Sequence, residues 1–218
     1  PELIFGHLRT STNYNKTEEK IVGGKNGFGF KLVLIWSTTG TIETVDHKRG
    51  LKYIQQFHDN LDKIDPPVIT KCKTKPYTRV TSRPDYARFG IDNLTADMVS
   101  LFKRRVYDIS AVTSKEVKVK CNSQPVPVKN FQQYVDKYLA PTAKKVFDCP
   151  SVRWEYAVAI SPAHEFMQVS FVNGIHTSKG GKHVDYIVGQ ITRKLVAYIE
   201  KKKKVTVKIF KDVKSALP

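Results

Sequence analysis

The sequence predicts an α+β fold with two layers. Segments with alternating apolar residues, which are typical of strands, occur among segments whose apolar residues recur every three or four positions, as in helices. The two kinds of segment do not alternate strictly, which disfavours a fold built from βαβ units. Hydrophobic residues make up 40% of the 218 residues, and this fraction is typical of a protein with a packed core.

The first half of the chain is predicted to contain a sheet with flanking helices. A short helix or loop is expected over residues 3–10, and a buried helix is expected over residues 29–37. Polar residues at 93–97 carry a helix-start signal, which predicts a helix over residues 98–108. Residues 41–45 and 51–58 have the character of two paired strands, and further strands are expected over residues 68–73 and 77–82, the last of which alternates between two different faces.

The second half is predicted to mix shorter elements with one long helix. Val117, Val119 and Cys121 alternate as in a strand, which then turns at Asn122 and Ser123. An antiparallel pair of strands is expected over residues 154–160 and 166–173, and a long amphipathic helix over residues 184–199. One further helix is indicated by the spacing of Phe131, Tyr134, Val135, Tyr138 and Leu139.

The chain is strongly basic, with 37 Lys and Arg residues against 20 Asp and Glu residues and a formal net charge of +17. Polyanions are the expected partners, although a basic surface that only keeps the protein soluble would carry the same charge. The three cysteines are widely spaced, which indicates reduced thiols rather than a disulfide framework or a zinc site. No apolar run approaches the ~20 residues that span a membrane, so no membrane partner is expected.

The most informative segment is the glycine-rich stretch at residues 22–31. Glycine can adopt positive φ and lets a ligand approach the backbone, and successive N–H groups can then form a concave site for an anion. A phosphate is the natural ligand, with Lys25 and Lys31 neutralising its charge. The alternative interpretation is a flexible glycine-rich turn.

A polar motif, Ser11, Thr12 and Asn13, lies just before this stretch in the sequence. Its two hydroxyls and one amide are suitable hydrogen-bond partners for ribose and phosphate oxygens. Because the same residue types favour helix N-caps, a capping role is the alternative.

Several longer motifs carry a family resemblance. They are Leu-Ile-Phe-Gly-His-Leu-Arg-Thr-Ser-Thr-Asn-Tyr at residues 3–14, the glycine-rich stretch, Tyr-Thr-Arg-Val-Thr at 77–81, Arg-Arg-Val-Tyr-Asp-Ile at 104–109, Val-Ser-Phe-Val-Asn-Gly-Ile at 169–175, and Thr-Ser-Lys-Gly-Gly-Lys-His-Val-Asp-Tyr at 177–186. The motifs occur in the same order as in one known family. From residue 1 to about residue 214, the chain resembles the ATPase region of eukaryotic-type DNA topoisomerase II, including the versions carried by large DNA viruses.

The resemblance implies a fold and a domain organisation. A GHKL-type ATPase sandwich is expected over residues 1–128, and a transducer domain with a ribosomal-S5-like fold over residues 129–218. The first domain is expected to be incomplete at its N-terminus and the second at its C-terminus. Pro125 and Pro127 mark the expected boundary.

The resemblance also implies which residues contact a nucleotide. In the family, the loop wraps the triphosphate and the position of Thr78 supports adenine recognition. Lys25 stands where many relatives have Arg. Phe30 stands where many have Ala, so its side chain must point either into the core or towards the lid. The implied nucleotide-binding residues are Ser11, Thr12, Asn13, Gly24, Lys25, Asn26, Gly27, Phe28, Gly29, Phe30, Lys31 and Thr78.

ATP and Mg²⁺ are the implied cofactors. No catalytic residue and no metal ligand is expected within this chain, since the general base and the Mg²⁺ ligand of the family are expected upstream of Pro1. The family's switch lysine is expected beyond Pro218. The chain by itself is therefore expected not to hydrolyse ATP.

The implied function is that of an ATP-operated gate segment of a type II topoisomerase, which passes one DNA duplex through a transient break in another. Lys201, Lys202, Lys203 and Lys204 coincide with a lysine-rich loop that contacts DNA in the family, although a lysine run is by itself an ordinary solvated surface. The implied partners are double-stranded DNA and a second copy of the protein. The implied location is the nucleus, or the host cytoplasm or viral factory for a viral protein.

Two other functions stay open from the sequence. One is a basic nucleic-acid-binding module without ATP chemistry. The other is a GHKL ATPase of the chaperone or mismatch-repair type, and the motif at residues 177–186 argues against it.

Overall fold

The computed structural model describes residues 1–15, 17–18, 23–161, 163 and 165–203. The chain divides into two compact units, Pro1–Arg105 and Val106–Pro218, and each is described by itself. Both units combine helices with antiparallel strands, which agrees with the predicted α+β class. The domain assignment with a boundary at residue 128 stays a prediction.

An antiparallel sheet is the frame of the first unit. β1 lies between β2 and β5, while β2 also pairs with β3 near its C-terminal end and with β4 near its N-terminal end. The strands are β1 (Ser37–Asp46), β2 (Leu51–His58), β3 (Lys63–Ile64), β4 (Val68–Lys71) and β5 (Thr78–Pro84). The strand predicted over residues 51–58 is thus present with the predicted bounds, and those predicted over residues 41–45, 68–73 and 77–82 are present with shifted bounds.

Two short helices, α1 (Glu2–Gly6) and α2 (Gly29–Ile35), precede the sheet in the chain. The core of this unit consists of Leu34, Ile42 and Phe57, with Phe5, Phe30, Leu61 and Ile64 packed around them. The predicted buried helix is therefore present as α2, but only one of its faces is buried, since Leu32 and Val33 are 50% and 44% exposed.

Gly40 of β1 allows α2 to approach the sheet closely. A Cβ atom built on Gly40 would lie 2.3 Å from Cδ2 of Leu34, well inside van der Waals contact. Leu34 is itself only 1% exposed, so the side chain has little room to move away. The absence of a side chain at Gly40 is thus a condition for this packing.

The second unit is built from hairpins and helices. Among its described residues, the strands form three two-stranded sheets, in which β6 pairs with β7, β8 with β9, and β10 with β11. The boundary between the units falls within α3 (Ala96–Val112). The elements that follow are β6 (Lys120–Cys121), β7 (Gln124–Pro125), α4 (Phe131–Val135), β8 (Lys145–Ser151), β9 (Trp154–Ala159), β10 (Phe171–Val172), β11 (Ile175–His176) and α5 (Lys182–Lys203).

Its core combines apolar packing with a buried polar network. Ala111, Val126, Val128 and Tyr134 are buried together. The Tyr134 hydroxyl donates to Oδ1 of Asp108 at 2.5 Å. Burial and this carboxylate raise the pKa of Tyr134 well above its usual value, so the phenol stays a hydrogen-bond donor at neutral pH.

The predicted pairing of residues 154–160 with residues 166–173 is wrong. β9 pairs with β8 instead, and β10 pairs with β11 through Asn173 and Gly174, whose φ values are 50° and 78°. Positive φ at both central residues is typical of a two-residue hairpin, which pairs each strand with its neighbour in sequence.

Two elements are also shorter than predicted, since the strand at 117–121 is reduced to Lys120–Cys121 and the helix after residue 131 ends at Val135.

We expect Gly40→Ala to lower the free energy of unfolding by about 1 to 3 kcal/mol, because extra atoms in a closed core force strained side chains. Chemical denaturation of Gly40→Ala, Leu34→Ala and the double variant measures the effect. The penalty should largely disappear in the Leu34→Ala background. An equal penalty in both backgrounds would mean that the contact with Leu34 is not its cause.

Candidate nucleotide site and lysine run

The glycine-rich loop and the polar motif meet in the first unit. The Asn13 side chain donates through Nδ2 to the carbonyl of Gly24 at 2.8 Å. The Tyr14 hydroxyl donates to the carbonyl of Asn26 at 3.3 Å. Ser11 accepts a hydrogen bond from the backbone N–H of Asn13 at 3.0 Å, so the motif also holds its own conformation. Two segments that are separate in sequence thus form one polar surface just before α2.

Gly27 is the position in this loop that requires glycine. Its φ is +69°, and a Cβ atom there would lie 3.1 Å from the backbone nitrogen of Ser11. Gly24 and Gly29 differ, because a Cβ atom built on either one would have no neighbour within 4 Å. The conformational freedom expected of the stretch is therefore used at Gly27, while Gly24 and Gly29 leave open space.

Lys31 is a buried ammonium group beside this loop. The residue is only 4% exposed, although it carries a charge. Among the described residues, the partner of its Nζ atom is the hydroxyl of Thr10, at 2.9 Å, and no carboxylate lies within ion-pair distance. A buried charge without a counter-ion is unfavourable, so this position is suited to an anion. The second predicted lysine, Lys25, is exposed on the loop.

Phe30 points into the core. Its ring contacts that of Phe5 edge to face, with 4.9 Å between the ring centroids, and packs against the cluster around Leu34. Of the two orientations left open by the sequence, the structure thus has the one in which Phe30 does not crowd the loop.

Thr78 lies in the sheet. Its hydroxyl is 2.9 Å from that of Thr44 on the neighbouring strand β1, and the residue is exposed. No hydrogen bond among the described residues joins Thr78 to the loop. The structure therefore places eleven of the twelve predicted nucleotide-binding residues along two adjoining segments, and the twelfth, Thr78, on strand β5.

Sequence reasoning missed three residues around the loop. Thr10 accepts the hydrogen bond of Lys31, and Arg9 and Tyr14 line a shallow pocket of about 360 Å³ together with Asn26 and Phe28. Arg9 has a φ of 58°, which is uncommon for a residue with a side chain. The signal for all three was their place directly beside the Ser-Thr-Asn motif.

The lysine run lies at the end of α5. Lys201, Lys202 and Lys203 form the last turn of this helix and are exposed, whereas Lys204 lies outside the described residues. Lys202 donates to the hydroxyl of Tyr198 at 3.0 Å. Cations at a helix C-terminus are also favoured by the helix dipole, so the position has a structural reason besides any ligand.

In the described part of the chain, no group of three or more His, Cys, Asp or Glu side chains could hold a metal ion. None of the helices in that part is both long and apolar enough to cross a bilayer.

Comparison with known proteins identifies the family. The DNA gyrase B family matches residues 109–216. DNA topoisomerase 2 of Arabidopsis thaliana is 47% identical over 213 residues, which cover 94% of this chain and 14% of that protein. The chain belongs to the DNA topoisomerase 2 family. It spans about a seventh of the length of this curated relative.

Solved structures of topoisomerase 2 proteins share the fold. The ATPase region of Saccharomyces cerevisiae topoisomerase II matches with a TM-score of 0.87 and 42% identity, over 92% of this chain and 53% of that one. The ATPase and transducer domains of DNA topoisomerase II from Balamuthia mandrillaris match with a TM-score of 0.85 and 38% identity, over 93% of this chain and 52% of that one. The predicted fold class, a GHKL ATPase sandwich followed by a transducer, is thereby confirmed.

In this topoisomerase 2 segment, we expect Lys31→Met to separate the stability of the fold from anion binding. The variant removes an uncompensated buried charge and keeps a side chain of similar length, so the unfolding free energy without ligand should stay equal or rise by about 1 to 2 kcal/mol. Stabilisation by added inorganic phosphate or ATP should be lost.

Thermal unfolding with and without each ligand measures both quantities, and Lys103→Met, at an exposed lysine outside the loop, is the matched control. A clear loss of stability in ligand-free Lys31→Met would show that the ammonium group serves the fold instead.

Proposed function

We propose that this chain is the ATP-binding gate segment of a type II DNA topoisomerase, an ATP-hydrolysing enzyme that passes one DNA duplex through a transient double-strand break in another. The observation that carries the proposal is the buried ammonium of Lys31 beside a glycine-rich loop. The match to ATPase regions of topoisomerase II supports the same assignment. The topoisomerase 2 relatives do not favour a chaperone or mismatch-repair protein.

ATP is the proposed ligand of the loop. Lys31 would hold a phosphate group from the buried side, and Lys25 would meet the phosphates from the solvent side. The backbone N–H groups from Gly24 to Lys31 would follow the triphosphate, with Gly27 allowing the turn. Ser11, Thr12 and Asn13 would supply hydrogen bonds to ribose and phosphate oxygens.

Thr78 is the proposed residue on the adenine side. Its hydroxyl forms part of an exposed pair with Thr44, so it is accessible to a ligand. Mg²⁺ is proposed as the cation that accompanies the nucleotide, where it would neutralise phosphate charge. The chain's own residues would bind and orient the nucleotide.

The proposed gate has two further partners. A second copy of the protein would associate when nucleotide binds, and double-stranded DNA would contact the lysines 201–204. The exposed ammonium groups of Lys201, Lys202 and Lys203 support a contact with DNA phosphates. The nucleus, or the host cytoplasm or viral factory for a viral protein, is the location that fits this function.

We expect Gly27→Val and Gly29→Val both to weaken ATP binding, for different reasons. At Gly27 the new side chain meets Ser11 and demands an unfavourable φ, so the variant should lose stability as well as affinity. At Gly29 a side chain meets open space, so stability should be kept. If phosphate occupies that space, affinity should fall by about tenfold or more, which corresponds to ~1.4 kcal/mol.

Binding of a non-hydrolysable ATP analogue and analogue-dependent dimerisation of the complete protein are the two measurements. Gly189→Val, at a helical glycine in the other compact unit, is the matched control. Unchanged affinity in Gly29→Val would show that the open space is not a phosphate site. Retained affinity in both variants would leave the loop as a structural turn and favour a nucleic-acid-binding module without ATP chemistry.

We expect replacement of Lys201, Lys202, Lys203 and Lys204 by Ala to reduce the salt dependence of DNA binding. Each lost phosphate contact should lower the slope of log affinity against log salt by about 0.9. In the complete protein, DNA stimulation of ATP hydrolysis should weaken while basal hydrolysis survives.

A titration of DNA affinity at increasing salt measures the slope. Nucleotide affinity serves as the internal control and should barely change. If both the slope and the DNA stimulation are unaltered, the lysine run is only a solvated surface.

A further inference from the structure

A second concentration of positive charge lies at one end of the sheet in the first unit. The turn between β1 and β2 and the connection between β4 and β5 are neighbours there. The backbone N–H of Cys72 donates to the carbonyl of Gly50 at 2.8 Å, and the N–H of Val45 donates to the carbonyl of Tyr77 at 3.0 Å. The pairing of Leu51 with Lys71 continues the same contact into the strands. Two segments that are distant in sequence thus form one surface.

Basic residues dominate these two segments. Residues 43–52 and 71–79 contain seven Lys and Arg residues against two carboxylates. No acidic residue occurs anywhere between Asp65 and Asp85. A high local density of one charge sign creates a field that attracts polyanions.

Both carboxylates are already paired. Asp46 accepts the guanidinium of Arg49 at 2.9 Å and the backbone N–H groups of Lys48 and Arg49, which hold its pKa below the usual value. Glu43 accepts the hydroxyl of Tyr77 and lies 3.3 Å from Nζ of Lys52, and the pKa of Glu43 is lowered in turn. These acids fix the turn and the strand ends, and neither one is free to neutralise the other lysines.

Four exposed lysines remain. Lys48, Lys71, Lys73 and Lys75 have no carboxylate within ion-pair distance among the described residues. Lys48 lies in the turn that Asp46 holds, and Lys71 is the last residue of β4. Lys73 and Lys75 lie in the connection to β5, which the hydrogen bonds at Cys72 and Tyr77 join to the first segment. We name this set the four-lysine patch.

We propose that the four-lysine patch binds the phosphate backbone of duplex DNA, as a contact surface separate from Lys201–Lys204. Its charges are spread over two exposed segments, which suits an extended polyanion better than a single phosphate group. A lysine ammonium group is a point charge and lacks the planar, bidentate guanidinium of arginine. The one arginine of the turn, Arg49, is already paired with Asp46. Contacts of this kind are independent of DNA sequence. The proposal does not depend on nucleotide binding.

The first test is the salt dependence of DNA binding. We expect the variant with Lys48, Lys71, Lys73 and Lys75 replaced by Ala to bind a short mixed-sequence duplex with a salt slope reduced by up to about 3.6, at ~0.9 per contact. A charge-matched control replaces four dispersed, exposed lysines, Lys63, Lys103, Lys118 and Lys144, by Ala. A slope that falls equally in the control and the patch variant would overturn the proposal, since net charge alone would then explain the binding.

A second test uses the protein with its patch intact. Cys72 lies between Lys71 and Lys73, is partly exposed, and has a pKa lowered by its hydrogen bond to Thr74. In a Cys121→Ser/Cys149→Ser background, duplex DNA should slow the reaction of Cys72 with a maleimide. An unchanged rate at saturating DNA would overturn the proposal whatever happens to the lysine variants.

Two comparisons separate this proposal from others. When the patch variant is combined with Ala at residues 201–204, the two reductions in salt slope should add, because the two sites bind DNA independently. If the salt slope is unchanged only in the variant at residues 201–204, the proposal for the four-lysine patch is unaffected. If it is unchanged only in the patch variant, the proposed gate function is unaffected. If polyglutamate protects Cys72 and duplex DNA does not, the surface takes an acidic protein instead, and the DNA proposal is wrong.

Discussion

The packing of α2 against the sheet is the constraint on which the rest of the first unit depends. A helix of seven residues is too short to be stable by itself, so its position comes from tertiary contacts. On its buried face, Leu34 reaches the backbone of β1 because Gly40 has no side chain. At its C-terminal end, the guanidinium of Arg88 donates to the carbonyl of Ile35 at 3.0 Å. The loop directly precedes α2 and Lys31 lies within it, so the contacts that fix this helix also place the buried charge.

Strong local patterns were enough to predict much of the fold, and the failures have local causes. β1 and β2 were found because they are rich in β-branched and aromatic residues, which favour strands. α5 was found because its apolar face continues for more than four turns. The error at residues 166–173 arose because a long apolar run was given priority over a turn signal. Asn173 and Gly174 form one of the strongest short hairpin signals, and they confine pairing to β10 and β11. Burial of one face only of α2 could not be predicted, because it depends on a strand that lies further along the chain.

The candidate site was predictable in composition but not in the roles of its residues. Glycine content and the Ser-Thr-Asn motif indicated where a phosphate site would lie, and the hydrogen bond from Asn13 to Gly24 joins the two segments. The sequence does not distinguish Gly27 from Gly29, because backbone φ and the free space around a Cβ atom are tertiary properties. It also treats Lys25 and Lys31 alike, whereas burial makes them chemically different. An exposed lysine is solvated whether or not a ligand is present, but a buried one gains most from an anion that replaces the lost water.

The distribution of carboxylates explains how one basic chain can present distinct anion sites. In the first unit, Glu43 and Asp46 are used to hold strand ends and a turn, which leaves neighbouring lysines unneutralised at positions fixed by the sheet. Such exposed charges are screened over a Debye length of about 8 to 10 Å, so their attraction for a polyanion weakens as salt rises. Lys31 is removed from solvent and is screened much less, so its interaction with an anion depends on fit more than on ionic strength. The proposed small ligand, held by a buried charge, and the proposed duplex, held by surface charges, would therefore not compete for the same groups of this unit.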